Sequence, residues 1–239
     1  MAHHMVKTAM NREKIQQAAH HLHKEIWDNQ DRLWPNRHLT PFQMLAPEVA
    51  AHILGLDYQP LPNLGSPLFG REGERFKAAG LMNRSIRRIA VSTEFPTNVI
   101  RFTGAHEVGH FVLHEDEVMH RDKPLDGSAR GQSRPPKERE ADYFAACFLI
   151  PARLLLDAFT AQFQMKGAFP FTDTTCYHLN PSDPWSLLNA ERDSLDREIS
   201  LARCARFNNR NLIPLSVQFG VSDIAMAIRI KELQLVRWP

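Results

Sequence analysis

Cysteine is scarce: the 239-residue chain holds three, Cys147, Cys176 and Cys204, widely spaced and none in a Cys-x-x-Cys pair. An odd, scattered set builds neither a disulfide framework nor a structural zinc ribbon, and it fits a reducing cytoplasm. Long apolar runs are missing as well. The most apolar windows are cut by His, Arg, Asp or Glu within about a dozen residues, short of the roughly 18 to 20 that a membrane span needs, so no integral membrane protein is expected. Charge excess of either sign is absent, with 29 Lys and Arg against 27 Asp and Glu. Bulk electrostatics therefore gives no reason for nucleic-acid binding, which needs clustered cations. The start, MAHHMVKTAMNREK, lacks the basic, apolar and small-residue regions of a secretory signal, and His3 and His4 read as a tag remnant.

What is present is an ordinary globular composition, 43% hydrophobic and 23% charged, in a chain long enough to bury a core without staples. Residues 11–27 place Ile15, Ala18, Ala19, Leu22 and Ile26 on one helical face, with Asn11 as cap. A second helix is expected from Pro41 to near Gly55. FKAAGLMN and IRRIAVST, separated by a short polar turn, predict a hairpin of a small antiparallel sheet. Helical spacing returns over 98–114, with Thr97 as cap. A long Pro- and Gly-bearing loop over 115–136 follows, of a length that suggests a functional segment. Helices are then expected over 137–150, 152–163, 185–206, 213–219 and 222–234, with 167–185 irregular. The reading is α+β: a tag or disordered start over 1–10, a core with a small antiparallel sheet over 11–165, and a mostly helical part over 166–239 that packs on it.

The 98–114 helix contains HEVGH. Two histidines four apart, His106 and His110, lie about 40° apart around a helix and one turn along it, so both imidazoles can reach one ion. Zinc accepts imidazole nitrogens, and a catalytic zinc site uses three protein ligands and one open position for water. Glu107 lies beside the pair, where its carboxylate can meet that water as general base. The motif's five letters alone occur by chance at about the few-per-cent level in a chain of this composition, but here they fall in an amphipathic helix directly after the hairpin. Gly109 suits a helix packed close to its neighbour.

A third ligand must come from elsewhere. In KEREADYFAACFLIP, Glu138 and Asp142 are four apart and share a helix face, opposite an apolar stripe of Phe144, Ala145, Phe148 and Leu149. Glu138 can serve as the anionic ligand, and Asp142 can accept a hydrogen bond from the far nitrogen of His106, fixing its tautomer. Glu140 is the runner-up ligand.

TGAHEVGHFVLH, a variable stretch and then EREADYFAACFLIP together resemble the ImmA/IrrE metallopeptidases, whose pattern is HExGHxxxH, then a Glu and an Ala-Asp/Asn-x-Phe-Ala run ending in Pro. About 50 residues carry the likeness. It implies His106, His110 and Glu138 as zinc ligands, one zinc per chain, with Glu107 as base and a zincin-like fold whose sheet edge accepts substrate as an extended strand. The Glu-x-x-x-Asp spacing resembles the gluzincin arrangement and favours Glu138 over Glu140. The resemblance further implies a protein substrate, a helix-turn-helix repressor, and a setting in stress response, mobile elements or toxin and antitoxin pairs. Residues 164–211 match nothing in that pattern.

His114 continues the histidine stripe. A fourth protein ligand would close the site, so a supporting polar role is expected. His120 and His178 read first as surface histidines; with Tyr143 and Tyr177 as alternatives, either could donate a hydrogen bond to a developing oxyanion. Arg84, Arg87, Arg88 and Arg101 read as solvated charges, with an acidic substrate segment as the sharper alternative. Cys147 lies in an apolar helix and is expected to pack. Residues 213–236 resemble a helix-turn-helix, but their cations are only Arg229 and Lys231, with Arg237 just beyond, so a packing pair is favoured over a DNA reader. The alternative to an enzyme is a regulatory binding protein with a structural metal site.

Overall fold

The computed structural model describes residues 2–65, 68–69, 74–75, 77–116, 119–122 and 134–238, and side chains over 11–65, 77–116 and 134–238. The chain forms two compact units, Met1–Leu149 and Ile150–Pro239, which divide upstream of the 165/166 boundary expected from the sequence. In the first unit the elements run α1 (Ala2–Asp28), α2 (Gln30–Leu33), α3 (Pro41–Met44), α4 (Pro47–Ile53), β1 (Asp57–Leu61), β2 (Leu68–Phe69) and β3 (Glu74–Arg75). They continue with β4 (Gly80–Asn83), β5 (Arg88–Ser92), α5 (Thr97–Leu113), β6 (Met119–Asp122) and α6 (Pro136–Leu149). The class is α+β, as the sequence pattern implied.

The expected hairpin is β4 and β5, antiparallel, with Met82 opposite Ile89 and both fully buried. It is the middle of a four-stranded sheet in the order β1-β5-β4-β6. β1 joins parallel to β5, and β6 joins antiparallel to β4. β6 falls within the long loop read over 115–136; residues 117–118 and 123–133 of that stretch lie outside the described residues. The helix expected from Pro41 is instead two, because Pro47 forces its predecessor out of the helical region: Ala46 is extended, with φ −100° and ψ 140°. Residues 1–10, read as a separate start, carry helical backbone from Ala2, which places Asn11 inside α1 rather than at its cap.

Helices α1, α5 and α6 build the core around this sheet. Ile15, Ala19, Leu22 and Ile26 of α1 are buried as their spacing implied, and α1 packs on α6. Phe144 and Phe148 on α6 are wholly buried, each contributing about 1.5–3 kcal/mol of apolar transfer. α5 lies directly on α6, and Gly109 permits that approach. A Cβ there would sit 3.1 Å from Phe144 Cδ1 and 3.2 Å from the Ala141 carbonyl oxygen.

Three of the four arginines read as solvated charges are helix-terminal caps. Arg84, from the β4–β5 turn, donates to the carbonyls of Phe111 (2.6 Å) and His114 (3.1 Å) at the C-terminal end of α5. Its guanidinium also lies over the Phe111 ring, 4.3 Å from the centroid. Arg87 closes α4 by bonding the Leu54 and Gly55 carbonyls, and Arg101 bonds those of Phe42 and Leu45. Only Arg88 keeps to an exposed ion pair, 2.7 Å from Asp57.

The second unit contains α7 (Ala152–Phe163), β7 (Phe169–Pro170), α8 (Asp173–Leu179), α9 (Pro184–Leu188) and α10 (Asp196–Ala202). It closes with β8 (Arg206–Phe207), β9 (Arg210–Asn211), α11 (Leu215–Phe219), α12 (Asp223–Glu232) and β10 (Val236–Arg237). Phe163, Phe169 and Phe207 meet edge to face with centroids 5.1–5.6 Å apart and centre its core. The single helix expected over 185–206 is broken into α9 and α10, because the polar run from Asn189 to Ser194 offers no apolar face to bury. Ser222 caps α12 by accepting from Ala225 N–H. Arg229 is buried and donates to the Ile150 carbonyl and Glu232, so this α12 cation serves packing. Among the described residues no single helix is long and apolar enough to cross a membrane.

The α5 cap yields a direct test. Arg84→Ala is expected to cost about 1–3 kcal/mol in denaturant unfolding, because cationic hydrogen bonds to helix-terminal carbonyls are lost. Arg88→Ala is expected to cost less than about 1 kcal/mol, as exposed pairs do. Equal costs for the two would refute the capping role.

Candidate metal centre

Helical geometry sets the site before any contact is measured. His106, His110 and His114 recur every four residues along α5, and Glu138, Glu140 and Asp142 lie along the first turns of α6. Where the helices pack, these two rows face each other. His106, Glu107 and His110 are wholly buried, and Glu138 is 9% exposed.

His106, His110 and Glu138 bring one ligand atom each to a common point. The two Nε2 atoms are 2.9 Å apart; His106 Nε2 is 3.5 Å from Glu138 Oε2 and His110 Nε2 is 3.5 Å from Glu138 Oε1. A tetrahedral ion bound at about 2.0–2.1 Å requires donor separations of about 3.3–3.4 Å; the carboxylate distances lie near that value and the imidazole pair is tighter, so two imidazoles and one carboxylate make a donor set of the kind zinc accepts. Glu140, the runner-up ligand, is not in this group. Its Oε2 lies 3.0 Å from His114 Nε2, and its Oε1 accepts from Asn11 Nδ2 of α1.

The far nitrogens of the two histidines meet different neighbours. His106 Nδ1 lies 3.0 Å from Asp142 Oδ1, an ion-pair distance without hydrogen-bond geometry, so the structure brings Asp142 to the ring the sequence paired it with but does not show the expected hydrogen bond. His110 Nδ1 lies 3.0 Å from His114 Nδ1. His114 thus touches the site from behind His110 rather than joining the ligand triangle.

One residue was not singled out from the sequence. Arg134, just before α6, donates to Glu138 Oε2 at 3.1 Å and to Asp142 Oδ2 at 2.7 Å. It holds the two carboxylates side by side and balances their charge, with its own side chain 17% exposed. The signal was available as Arg134 and Glu138 at i and i+4, but Pro135 and Pro136 between them obscured the helical register.

Glu107 points to the sheet side. Its carboxylate lies against β4 at Gly80, where a Cβ would overlap Glu107 Oε1 and come within 2.6 Å of Thr103 Cγ2. Gly80 is therefore the floor on which the carboxylate rests. Nearby Tyr58 on β1, whose hydroxyl meets Gly104 of α5, has its phenol pKa pushed well up, chiefly by burial and further by Glu48 and Glu107.

The oxyanion candidates are placed apart from one another. Tyr143 turns to α1, its hydroxyl 2.6 Å from Gln16 Nε2 with Arg12 over its ring. Tyr177 and His178 belong to the second unit, Tyr177 exposed and His178 edge-on to Phe207. His120 lies on β6 opposite Met82, and its side chain is outside the described residues. Cys147 is buried, as its apolar helix implied.

Residues 68–168 match the family model described as the IrrE N-terminal-like domain, a peptidase family. The matched stretch contains α5, α6 and Arg134. No curated protein matches the chain.

The Gly80 contact is testable by a double-mutant cycle. Gly80→Ala is expected to destabilise the protein by about 1–3 kcal/mol through overpacking. In a Glu107→Ala background the cost is expected to fall, giving a coupling of at least about 0.5 kcal/mol in chemical denaturation. Strict additivity would place the carboxylate elsewhere.

Proposed function

We propose that this chain, which carries an IrrE N-terminal-like peptidase domain, is a zinc-dependent endopeptidase acting on a protein substrate. The observation that carries the reading is the meeting of His106 Nε2, His110 Nε2 and a Glu138 oxygen with a buried Glu107 on the same helix. His106, His110 and Glu138 would hold the ion. Bound zinc would supply Lewis-acid polarisation of the scissile carbonyl and a water acidified toward neutrality.

The chain's own residues do the proton work. Glu107 takes the proton of the attacking water as it adds to the carbonyl carbon, and returns it to the amine nitrogen as the C–N bond breaks. Gly80 holds that carboxylate at a fixed height against the sheet. Arg134 holds Glu138 and Asp142 side by side through its two hydrogen bonds, and Asp142 lies 3.0 Å behind His106 Nδ1, on the side away from the ligand triad. A purely structural metal site, the alternative function, has no use for a buried carboxylate at position 107.

We take the substrate to be a helix-turn-helix repressor and the setting to be a cytoplasmic stress response, following the resemblance of the two motifs to ImmA/IrrE peptidases. Glu107→Gln is expected to keep zinc and the fold while lowering cleavage of such a repressor by at least about 10²-fold, the usual worth of a general base. Mass spectrometry of the fragments reads the outcome. Undiminished cleavage by Glu107→Gln would overturn the assignment.

A further inference from the structure

The two histidines of the candidate metal triad are backed differently. Behind His106 stands a carboxylate, Asp142, 3.0 Å from Nδ1. Behind His110 stands a second imidazole, that of His114, and only behind that a carboxylate, Glu140. We propose that Glu140 and His114 form a positioning relay that fixes the tautomer of His110 and strengthens its Nε2 as a metal ligand.

The protons can be assigned from the contacts. An ionised carboxylate only accepts, so the 3.0 Å contact of Glu140 Oε2 with His114 Nε2 requires Nε2–H on His114. A neutral His114 then has a bare Nδ1, which accepts from Nδ1–H of His110 across 3.0 Å. His110 is left with a bare Nε2, the atom 2.9 Å from His106 Nε2 and 3.5 Å from Glu138. This arrangement satisfies both contacts.

Burial and anchoring support the relay. His110 is wholly buried and His114 only 5% exposed, so the contact between the two rings is shielded from water, while the Glu140 carboxylate behind them is partly exposed. Glu140 is pinned from its other oxygen by Asn11 of α1, and Arg84 holds the His114 carbonyl, so both ends of the relay are fixed by separate elements. Outer partners of this kind make a ligating imidazole more basic and cut the freedom it loses on binding.

The affinity readout rests on the metal-binding reading above; the tautomer readout does not. Zinc affinity would be measured by competition with a chromophoric chelator on the full chain, with His3 and His4 replaced by serine. His114→Phe and Glu140→Ala are each expected to weaken zinc binding by about 10–100-fold, and the double variant by no more than the worse single one. His114→Gln can accept from His110 and donate to Glu140, and is expected to stay within about threefold of the unsubstituted protein. In ¹⁵N spectra of labelled histidine, with and without zinc, His114 is expected as the Nε2–H tautomer and His110 as Nδ1–H. A folded His114→Phe protein that binds zinc as the wild type does, or multiplying losses in the double variant, would overturn the relay. So would an Nδ1–H tautomer at His114, which decides the matter if His114→Phe does not fold. Absence of zinc binding by the wild type would instead count against the metal reading, with the zinc-free tautomers still deciding the relay.

Discussion

The close packing of α5 on α6 is the constraint on which everything else in the first unit depends. The histidines of one helix and the acids of the other can share a point only if the backbones approach, and Gly109 against Ala141 and Phe144 allows that. The same crossing packs Phe144 against α5 at Gly109, so the apolar gain that holds the helices together also sets the distance between ligand atoms. Function and stability thus draw on a single contact.

Bringing three histidines and three carboxylates out of water is costly unless each is partnered. The two rows solve this reciprocally. Asp142 faces His106, Glu138 faces both His106 and His110, and Glu140 faces His114. Arg134 adds the cation that makes the adjacent carboxylates of buried Glu138 and part-buried Asp142 tolerable, and Asn11 ties the arrangement to α1. On the opposite side, Gly80 gives Glu107 a position without a side chain to displace it.

Much of this was legible because helical spacing is rigid. The i, i+4 relation of His106 and His110 and that of Glu138 and Asp142 follow from 3.6 residues per turn, and the structure brings together the four residues so related. The β4–β5 hairpin was legible for a similar reason: two short apolar runs flank a polar turn. The remaining sheet was hidden because β1 contains Pro60 and a half-exposed pattern, while β6 is the polar run Met-His-Arg-Asp, and neither shows period-two alternation. The capping arginines looked like solvated charges because their partners are carbonyls, which no sequence pattern marks. Glu140 was weighed as a ligand because its residue type suits one; its actual partners come from α1 and the end of α5, and that long-range juxtaposition depends on tertiary packing.

The central claim is that His106, His110 and Glu138 form a three-ligand zinc site. Elemental analysis of the purified chain, with the N-terminal histidines removed and zinc supplied, tests it most directly against the Glu138→Ala variant. About one zinc per wild-type chain, and a loss of most of it in Glu138→Ala, is the expected result. A wild-type chain that holds no zinc, or a Glu138→Ala protein that holds it as firmly as the wild type, would contradict the account.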